Sequence, residues 1–299
     1  MAPLFDGIQL ALGERMRPDP GPLTTALVVP CYNEEMRLPV GLLADWLRGD
    51  PAAHLLFVND GSTDRTRDRI DTLVASAGGR ASALHLARNG GKAEAVRQGM
   101  LALMERGYAT VGFWDADLAT PLDAIPGFVE VLASRADIDW VFGARVQLLG
   151  RHIARQPLRH YLGRVFATMT SLALGLAVYD TQCGAKLFRA SSELARVLAT
   201  PFMSRWIFEV EMIARLAAGR APGDRAVAER IYELPLVRWT DVKGSKVKPT
   251  DFVRAAGELA RIRLTYAEAL RASRRAVGRD RAAVQLHPVG AEVEPRPLP

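Results

Sequence analysis

Short apolar runs recur along the first half of the chain, each too brief for a helix and each ending in a polar, acid-bearing turn. Ala26-Leu27-Val28-Val29 leads into Pro30-Cys31-Tyr32-Asn33-Glu34-Glu35, and Leu55-Leu56-Phe57-Val58 leads into Asn59-Asp60-Gly61-Ser62-Thr63-Asp64. A third run closes on Phe113-Trp114-Asp115-Ala116-Asp117. Unbroken apolar runs of this length read as buried parallel strands with functional loops at their carboxyl ends, where a ligand crevice belongs. Between them, stripes such as Leu43, Trp46 and Leu47, or Ala93, Val96, Met100 and Leu103, have helical spacing. The pattern predicts strands over 25–31, 54–59, 82–86 and 110–115, and helices over about 34–48, 63–76 and 92–106. The fold class is α/β, with a mostly parallel sheet flanked by helices.

The second half reads differently. Thr120-Pro121 offers a cap and first-turn proline for a helix over about 122–134, and Trp140-Val141-Phe142-Gly143 reads as a strand with Arg145 beyond its carboxyl end. A long helix over about 156–178, a turn at 180–184, a strand near 185–189, a helix over about 204–218 and a strand near 230–237 follow. From Pro249 to about Arg281 the chain reads as an arginine-rich amphipathic helix that packs one face on its own domain, with a seat on anionic lipid as the alternative, and the Pro-rich end from His287 reads as disordered.

Composition narrows the options. With 299 residues, 49% of them hydrophobic, the chain can bury a sizeable core. A net charge of +6 suits a partner bearing phosphate, but the basic residues are not interleaved with aromatics as in a nucleic-acid module, so no nucleic acid is expected. Cys31 and Cys183 give neither a disulfide framework nor a zinc spacing, which fits a reducing, cytoplasmic setting. Met1 to Pro22 carries Asp6 and Glu14 and lacks the layout of a secretory signal. No segment reaches the roughly 18–20 apolar residues needed to span a bilayer. The uncharged stretch between Arg164 and Asp180 is interrupted by Thr168, Thr170, Ser171 and Gly175, and reads as buried or interfacial.

The candidate chemistry centres on Asp115 and Asp117. Side chains alternate along a strand, so the two carboxylates would leave its carboxyl end on one side and converge on one cation; a solvated strand end or a capping turn is the alternative. Asn89-Gly90-Gly91-Lys92 lacks the flanking residues of a P-loop, and no GxGxxG follows the first strand, which disfavours a P-loop NTPase or a dinucleotide dehydrogenase.

Taken in order, Pro30 to Glu35, Asn59 to Asp64 and Asp115-Ala116-Asp117 resemble the family 2 inverting glycosyltransferases of GT-A fold. Gly143-Ala144-Arg145, Arg155 and Arg159, Asp180-Thr181-Gln182-Cys183-Gly184, Arg205-Trp206-Ile207-Phe208 before Glu209 and Glu211, and Gly244-Ser245-Lys246 continue the likeness over about residues 24–265. The order is that of polyprenyl-phosphate glycosyltransferases, most like the dolichyl-phosphate β-glucosyltransferase branch. Ala119 stands where mannosyltransferases of this kind often carry a further glutamine ligand, which favours a glucosyl donor.

The resemblance implies a Rossmann-like GT-A domain over 23–281, with a nucleotide-sugar half at 23–121, an acceptor half at 122–250 and a C-terminal amphipathic helix at 251–281. A lead at 1–22 precedes it and a disordered tail at 282–299 follows. By resemblance, Pro30, Tyr32, Glu34 and Asp60 hold the nucleoside of a UDP-sugar, although Asp60 could instead serve as a helix cap. Asp64 is expected to cap the helix near Thr63. Asp117 binds Mg²⁺ or Mn²⁺ and Asp115 assists; Lys92 and Lys246 approach the donor phosphates, with a merely solvated lysine as the alternative for each. Arg145, Arg155 and Arg159 clamp the acceptor phosphate, although each alone could be a surface charge. Asp180 and Gln182 face the transferred sugar, and Cys183 is a small buried residue. The five histidines show no ligand spacing.

The implied activity moves a hexose, glucose by the Ala119 argument, from a UDP-sugar to a polyprenyl phosphate. The protein would be cytoplasmic, with peripheral contact on the inner face of the membrane through the 160–178 region. Two alternatives stay open: a soluble family 2 enzyme acting on a hydroxyl with Asp180 or Glu209 as base, and a nucleotide-sugar-binding protein without turnover.

Overall fold

The computed structural model describes residues 25–49, 53–154, 156–221, 223–242 and 249–273, with the side chains of 157–160 and 249–253 outside that description. Strands β1 (Thr25–Cys31), β2 (His54–Asp60), β3 (Ala81–Leu86) and β4 (Thr110–Trp114) alternate with helices α1 (Val40–Arg48), α2 (Thr66–Ala75) and α3 (Lys92–Glu105). Every residue of β2 is buried, as the unbroken apolar run requires of a strand covered on both faces. Side-chain alternation then splits the core into two layers. Val28 and Val58 pack with α3 on one face, and Leu27 and Phe57 pack with α1 and α2 on the other. Helix α3 lies unusually close to the sheet: a Cβ on Gly99 would meet Val28 at 2.7 Å and Val58 at 2.9 Å.

The second half adds a 3-10 turn at Leu122–Ala124, α4 (Ile125–Ser134), β5 (Trp140–Ala144), β6 (His152–Ala154), α5 (Pro157–Leu174), β7 (Ala185–Arg189), α6 (Ser192–Leu198) and α7 (Phe208–Ala218). After them come β8 (Ile231–Pro235), β9 (Arg238–Thr240) and α8 (Pro249–Thr265). The seven-stranded sheet has the order β3-β2-β1-β4-β7-β5-β8, and β7 runs antiparallel to both neighbours while the other pairings are parallel. Strands β6 and β9 form a separate parallel ribbon. Strand order reverses about β1, which pairs with β2 on one side and β4 on the other, so the loops after β1 and β4 part and open a crevice.

Several expected boundaries move. The helix expected from residue 34 begins at Val40, because Asn33 turns the chain at φ 50 and Pro39 disfavours a helical residue before it. Asp64, expected as the cap of the next helix, stands one residue before that position: Arg65 is the N-cap of α2 and makes no side-chain cap bond, while Asp64 accepts from the Thr66 N–H at 3.0 Å and the Glu35 N–H at 3.1 Å. Pro121 precedes the 3-10 turn, and Pro126 supplies the first-turn proline of α4. Helix α5 stops at Leu174, where Gly175 adopts φ 70, rather than reaching 178. The helix expected from 204 begins at Phe208. Elements α6, β6 and β9 are too short to announce themselves by period. Helix α8 lays Ala255, Leu259 and Ile262 into the core beside α5 and α7, so its apolar face is spent within the domain. The expected lead at 1–22, the tail at 282–299 and the end of the C-terminal helix lie outside the described residues.

Candidate active site

The turns after β1, β2, β4 and β5 and the 179–184 turn open on one cavity of about 780 Å³. Pro30, Tyr32, Glu34, Asp60 and Lys92 line it from the first half, Asp115 and Asp117 sit at its middle, and Arg145, Asp180 and Gln182 close it from the second. Every expected site residue whose side chain is described therefore faces one space. Arg155, Lys246 and the side chain of Arg159 lie outside the described residues.

The acidic pair converges by a different route from the one alternation suggests. Strand β4 ends at Trp114, and both carboxylates stand on a turn in which Leu118 adopts φ 52. The Leu118 N–H returns to the Asp115 carbonyl at 3.1 Å, and the Ala119 N–H donates to Asp117 Oδ1 at 3.0 Å. The Asp115 N–H donates to the Gly184 carbonyl at 2.9 Å, so the side chain of Asp115 rests directly on that glycine. A Cβ at residue 184 would lie 1.9 Å from Asp115 Oδ2, a distance no side chain can occupy. Lys92 Nζ meets Asp115 Oδ1 at 2.6 Å. Burial opposes the Lys92 charge, but Asp115, Glu209 and Asp117 together hold its ammonium above the ordinary range. Burial first, and the charge of Asp115 second, push the Asp117 carboxyl up.

Two carboxylates repelling one another in a cavity suit a divalent cation. Among the described residues no group of three or more His, Cys, Asp or Glu side chains assembles a complete cage. A hard ion such as Mg²⁺ fits that donor set, because it is commonly held by one or two carboxylates with substrate phosphates and water completing its shell. Asp117 makes no ion pair among the described residues, whereas Asp115 is paired with Lys92.

In the first half, Asp60 accepts from the N–H groups of Gly90 and Gly91, both at 2.8 Å, and burial raises its carboxyl despite those two donors. Its carboxylate thus braces the glycine turn that starts α3, a bond to a loop thirty residues away that spacing does not reveal. Glu34 is held by the guanidinium fork of Arg37, whose Nε donates to Oε2 at 2.8 Å. Arg37 also lines the cavity and was not among the expected site residues.

In the second half, Arg145 Nε and Nη2 donate to the two oxygens of Asp180, each at 2.7 Å, and the Arg145 N–H adds a third bond at 3.1 Å. The guanidinium also lies 5.2 Å from the centre of the Trp239 ring. Although burial opposes its charge, Arg145 pulls the Asp180 carboxyl down to about 2. Asp180 is consequently a fixed anion and a poor base. Glu233 on β8 accepts the N–H groups of Tyr179 and Asp180, at 2.8 and 2.7 Å, and locks the turn.

Beneath it, Lys186 is fully buried in β7, donates to the Cys183 carbonyl and stands 3.9 Å from Glu209 Oε1. Burial lowers Lys186 and raises Glu209. Glu209 lines the cavity, and its Oε2 has no hydrogen-bond partner among the described residues. A lysine inside the apolar run Ala185-Lys186-Leu187-Phe188 is a sequence signal for such a buried pair. Cys183 is fully buried, as expected.

The sequence profile of Glycosyl transferase family 2 matches residues 26–194, which carry β1 through β7 and most of this cavity. The chain belongs to glycosyl transferase family 2. Its relatives include a dolichyl-phosphate beta-glucosyltransferase of Trichomonas vaginalis, 32% identical over 83% of this chain and 73% of the relative. The enzyme of the same name from Homo sapiens is 28% identical over 81% of this chain and 75% of its own. Among solved structures, this family 2 glycosyltransferase is similar to glucosyl-3-phosphoglycerate synthase from Mycobacterium tuberculosis, crystallised with Mn²⁺, UDP-glucose and phosphoglyceric acid. That match has a TM-score of 0.56 at 20% identity and covers 81% of this chain and 79% of that one. The shared architecture is the GT-A fold.

Proposed function

We propose that the chain transfers glucose from UDP-glucose to a polyprenyl phosphate, with inversion at the anomeric carbon. The observation that carries this reading is the single cavity joining the Asp115/Asp117 turn to a second half lined by arginine and apolar side chains, in a chain whose relatives are dolichyl-phosphate beta-glucosyltransferases. Pro30, Tyr32, Glu34 and Asp60 form the wall for the nucleoside, and Lys92 at the start of α3 faces the diphosphate, where a helix N-terminus favours anions. Asp117, assisted by Asp115, would hold Mg²⁺ or Mn²⁺, which supplies charge neutralisation to the departing diphosphate. An acceptor phosphate oxygen attacks the anomeric carbon, the bond to the UDP oxygen breaks, and UDP leaves. A phosphate monoester is already anionic near neutral pH, so the reaction needs orientation rather than a strong base. The depressed carboxyl of Asp180 accords with that requirement. Arg155, Arg159 and Lys246 remain proposed contacts to the acceptor and donor phosphates.

Among the described residues no helix is long and apolar enough to cross a membrane. Helix α5 nonetheless presents Val165, Met169 and Leu172 to solvent about one turn apart, while Phe166 and Ala167 face the cavity. We assign the outer face to peripheral contact with the membrane that holds the acceptor. The test is transfer from radiolabelled UDP-glucose to undecaprenyl phosphate, compared with soluble hydroxyl acceptors. Lipid-linked product is expected, and product with hydroxyl acceptors alone would overturn the proposal. A second reading, transfer to a soluble hydroxyl, is favoured by one observation: the raised carboxyl of Glu209 in the cavity is a possible general base. The same comparison separates the two.

A further inference from the structure

Three arginines among the described residues line the cavity, and they are not equivalent. Arg37 is paired with Glu34, and Arg145 has its Nε and Nη2 on Asp180. Arg164, on α5, forms no ion pair among the described residues. Its Nη1 donates to the Tyr179 carbonyl at 3.1 Å, and its guanidinium carbon lies 3.8 Å from the centre of the Tyr179 ring. The group therefore sits over an aromatic face and is anchored at one corner. Its Nε and Nη2 have no hydrogen-bond partner among the described residues, and the side chain is only half-buried. Leu162 and Phe166 of the same helix line the cavity beside it.

A cation without a counter-ion among the described residues, pre-positioned next to an apolar wall, matches a ligand with an anionic head and a hydrocarbon tail. We propose that Arg164 clamps the phosphate of a prenyl phosphate acceptor, with its tail running along Leu162 and Phe166. The assignment rests on the proposed glucosyl transfer to a polyprenyl phosphate. It also separates two arginine roles: Arg145 braces the Asp180 turn, and Arg164 meets the substrate. The stack on Tyr179 explains why arginine rather than lysine stands here, since a lysine would keep the charge and lose the planar seat.

The experiment uses the full chain with farnesyl phosphate as the probe, in parallel with farnesol and glycerol 3-phosphate, for the wild type, Arg164→Ala and Arg164→Lys. Removing a charge-assisted contact should raise the KM for farnesyl phosphate by about tenfold to a hundredfold in Arg164→Ala, with the KM for UDP-glucose unchanged. Arg164→Lys should fall between. Titration calorimetry with UDP and Mg²⁺ present reads binding without turnover: farnesyl phosphate should bind more weakly to Arg164→Ala by the same factor. Equal binding of farnesyl phosphate by wild type and Arg164→Ala would overturn the proposal, as would a matching rise in KM for both substrates. Glycerol 3-phosphate binding with the same Arg164 dependence and affinity would overturn the prenyl part. If the wild type binds farnesyl phosphate through Arg164 but transfers nothing to it, the functional reading fails and the clamp stands. If it does not bind farnesyl phosphate, both fail.

Discussion

Asp180→Asn should destabilise the protein more than its loss of one negative charge suggests. The carboxylate accepts two guanidinium bonds at 2.7 Å, the Arg145 N–H at 3.1 Å and the Gln182 N–H at 3.1 Å, at a site only 7% exposed. Arg145 holds its carboxyl down at about 2, below the ordinary 3.8, and at about 1.4 kcal/mol per pH unit the difference corresponds to roughly 2–3 kcal/mol of stability. Because the folded value lies below the unfolded one, this stability is fully present above about pH 4 and drains away as pH falls toward 2. Asparagine cannot balance the guanidinium and turns an N–H toward it, leaving a buried cation, for which a cost of roughly 3–5 kcal/mol at pH 7 is expected. At about 2–4 °C per kcal/mol for a chain of this size, the thermal midpoint should drop by at least about 6 °C. Differential scanning calorimetry of the wild type, Asp180→Asn, Arg145→Met and the double variant would measure it. The double variant should recover part of the loss, since the stranded cation is gone. An Asp180→Asn midpoint within about 2 °C of wild type, or fully additive losses, would refute the argument.

Three further outcomes test the site. Gly184→Ala should cost at least about a hundredfold in kcat/KM with unchanged far-UV circular dichroism, because the new methyl evicts the Asp115 carboxylate from its seat against Lys92; retained activity would contradict the close approach. Asp117→Asn should abolish the extra thermal protection that Mg²⁺ or Mn²⁺ gives in the presence of UDP, while leaving the apo midpoint near that of wild type, and a metal-dependent shift that survives would remove Asp117 as ligand. Lys186→Met should destabilise by roughly 3 kcal/mol in urea unfolding at pH 7, because it leaves Glu209 buried without its cation, and adding Glu209→Gln should restore part of that loss; no restoration would dissolve the pair.

The strands and their loops were legible because burial on both faces writes itself as a local pattern. Leu55 to Val58 is apolar for the same reason that it is inaccessible, and the polar turn after it marks where the strand leaves the core. The helix boundaries were less legible, although Leu38-Pro39 at a start and Gly175 at an end carried the information in plain form: a residue before proline resists helical geometry, and glycine reaches the left-handed region without strain. What the sequence withheld was pairing at a distance. Arg145 and Asp180 each suggest a role when read alone, one as a clamp and the other as a sugar contact or base, and only their bidentate contact shows that the two charges answer each other.

The same logic orders the charges of the cavity by what they are still able to do. A carboxylate whose charge is already matched, like Asp180, is held far below the pH range in which a general base must take up a proton. A carboxylate pushed upward by burial and a like-charged neighbour, like Asp117, gains most from an added cation. A guanidinium in the cavity wall without a carboxylate partner among the described residues, like Arg164, gains most from an added anion. Asp117, suited to the proposed metal, and Arg164, suited to the proposed acceptor phosphate, line one cavity together with the braced Arg145–Asp180 pair. Acid should then act on the reaction through the second ionisation of the acceptor phosphate, near pH 6, rather than through Asp180. A rate profile in farnesyl phosphate whose acidic limb moves with the acceptor's own ionisation would bear this out. A limb that stays fixed when the acceptor's ionisation is changed would place the controlling proton on the enzyme instead.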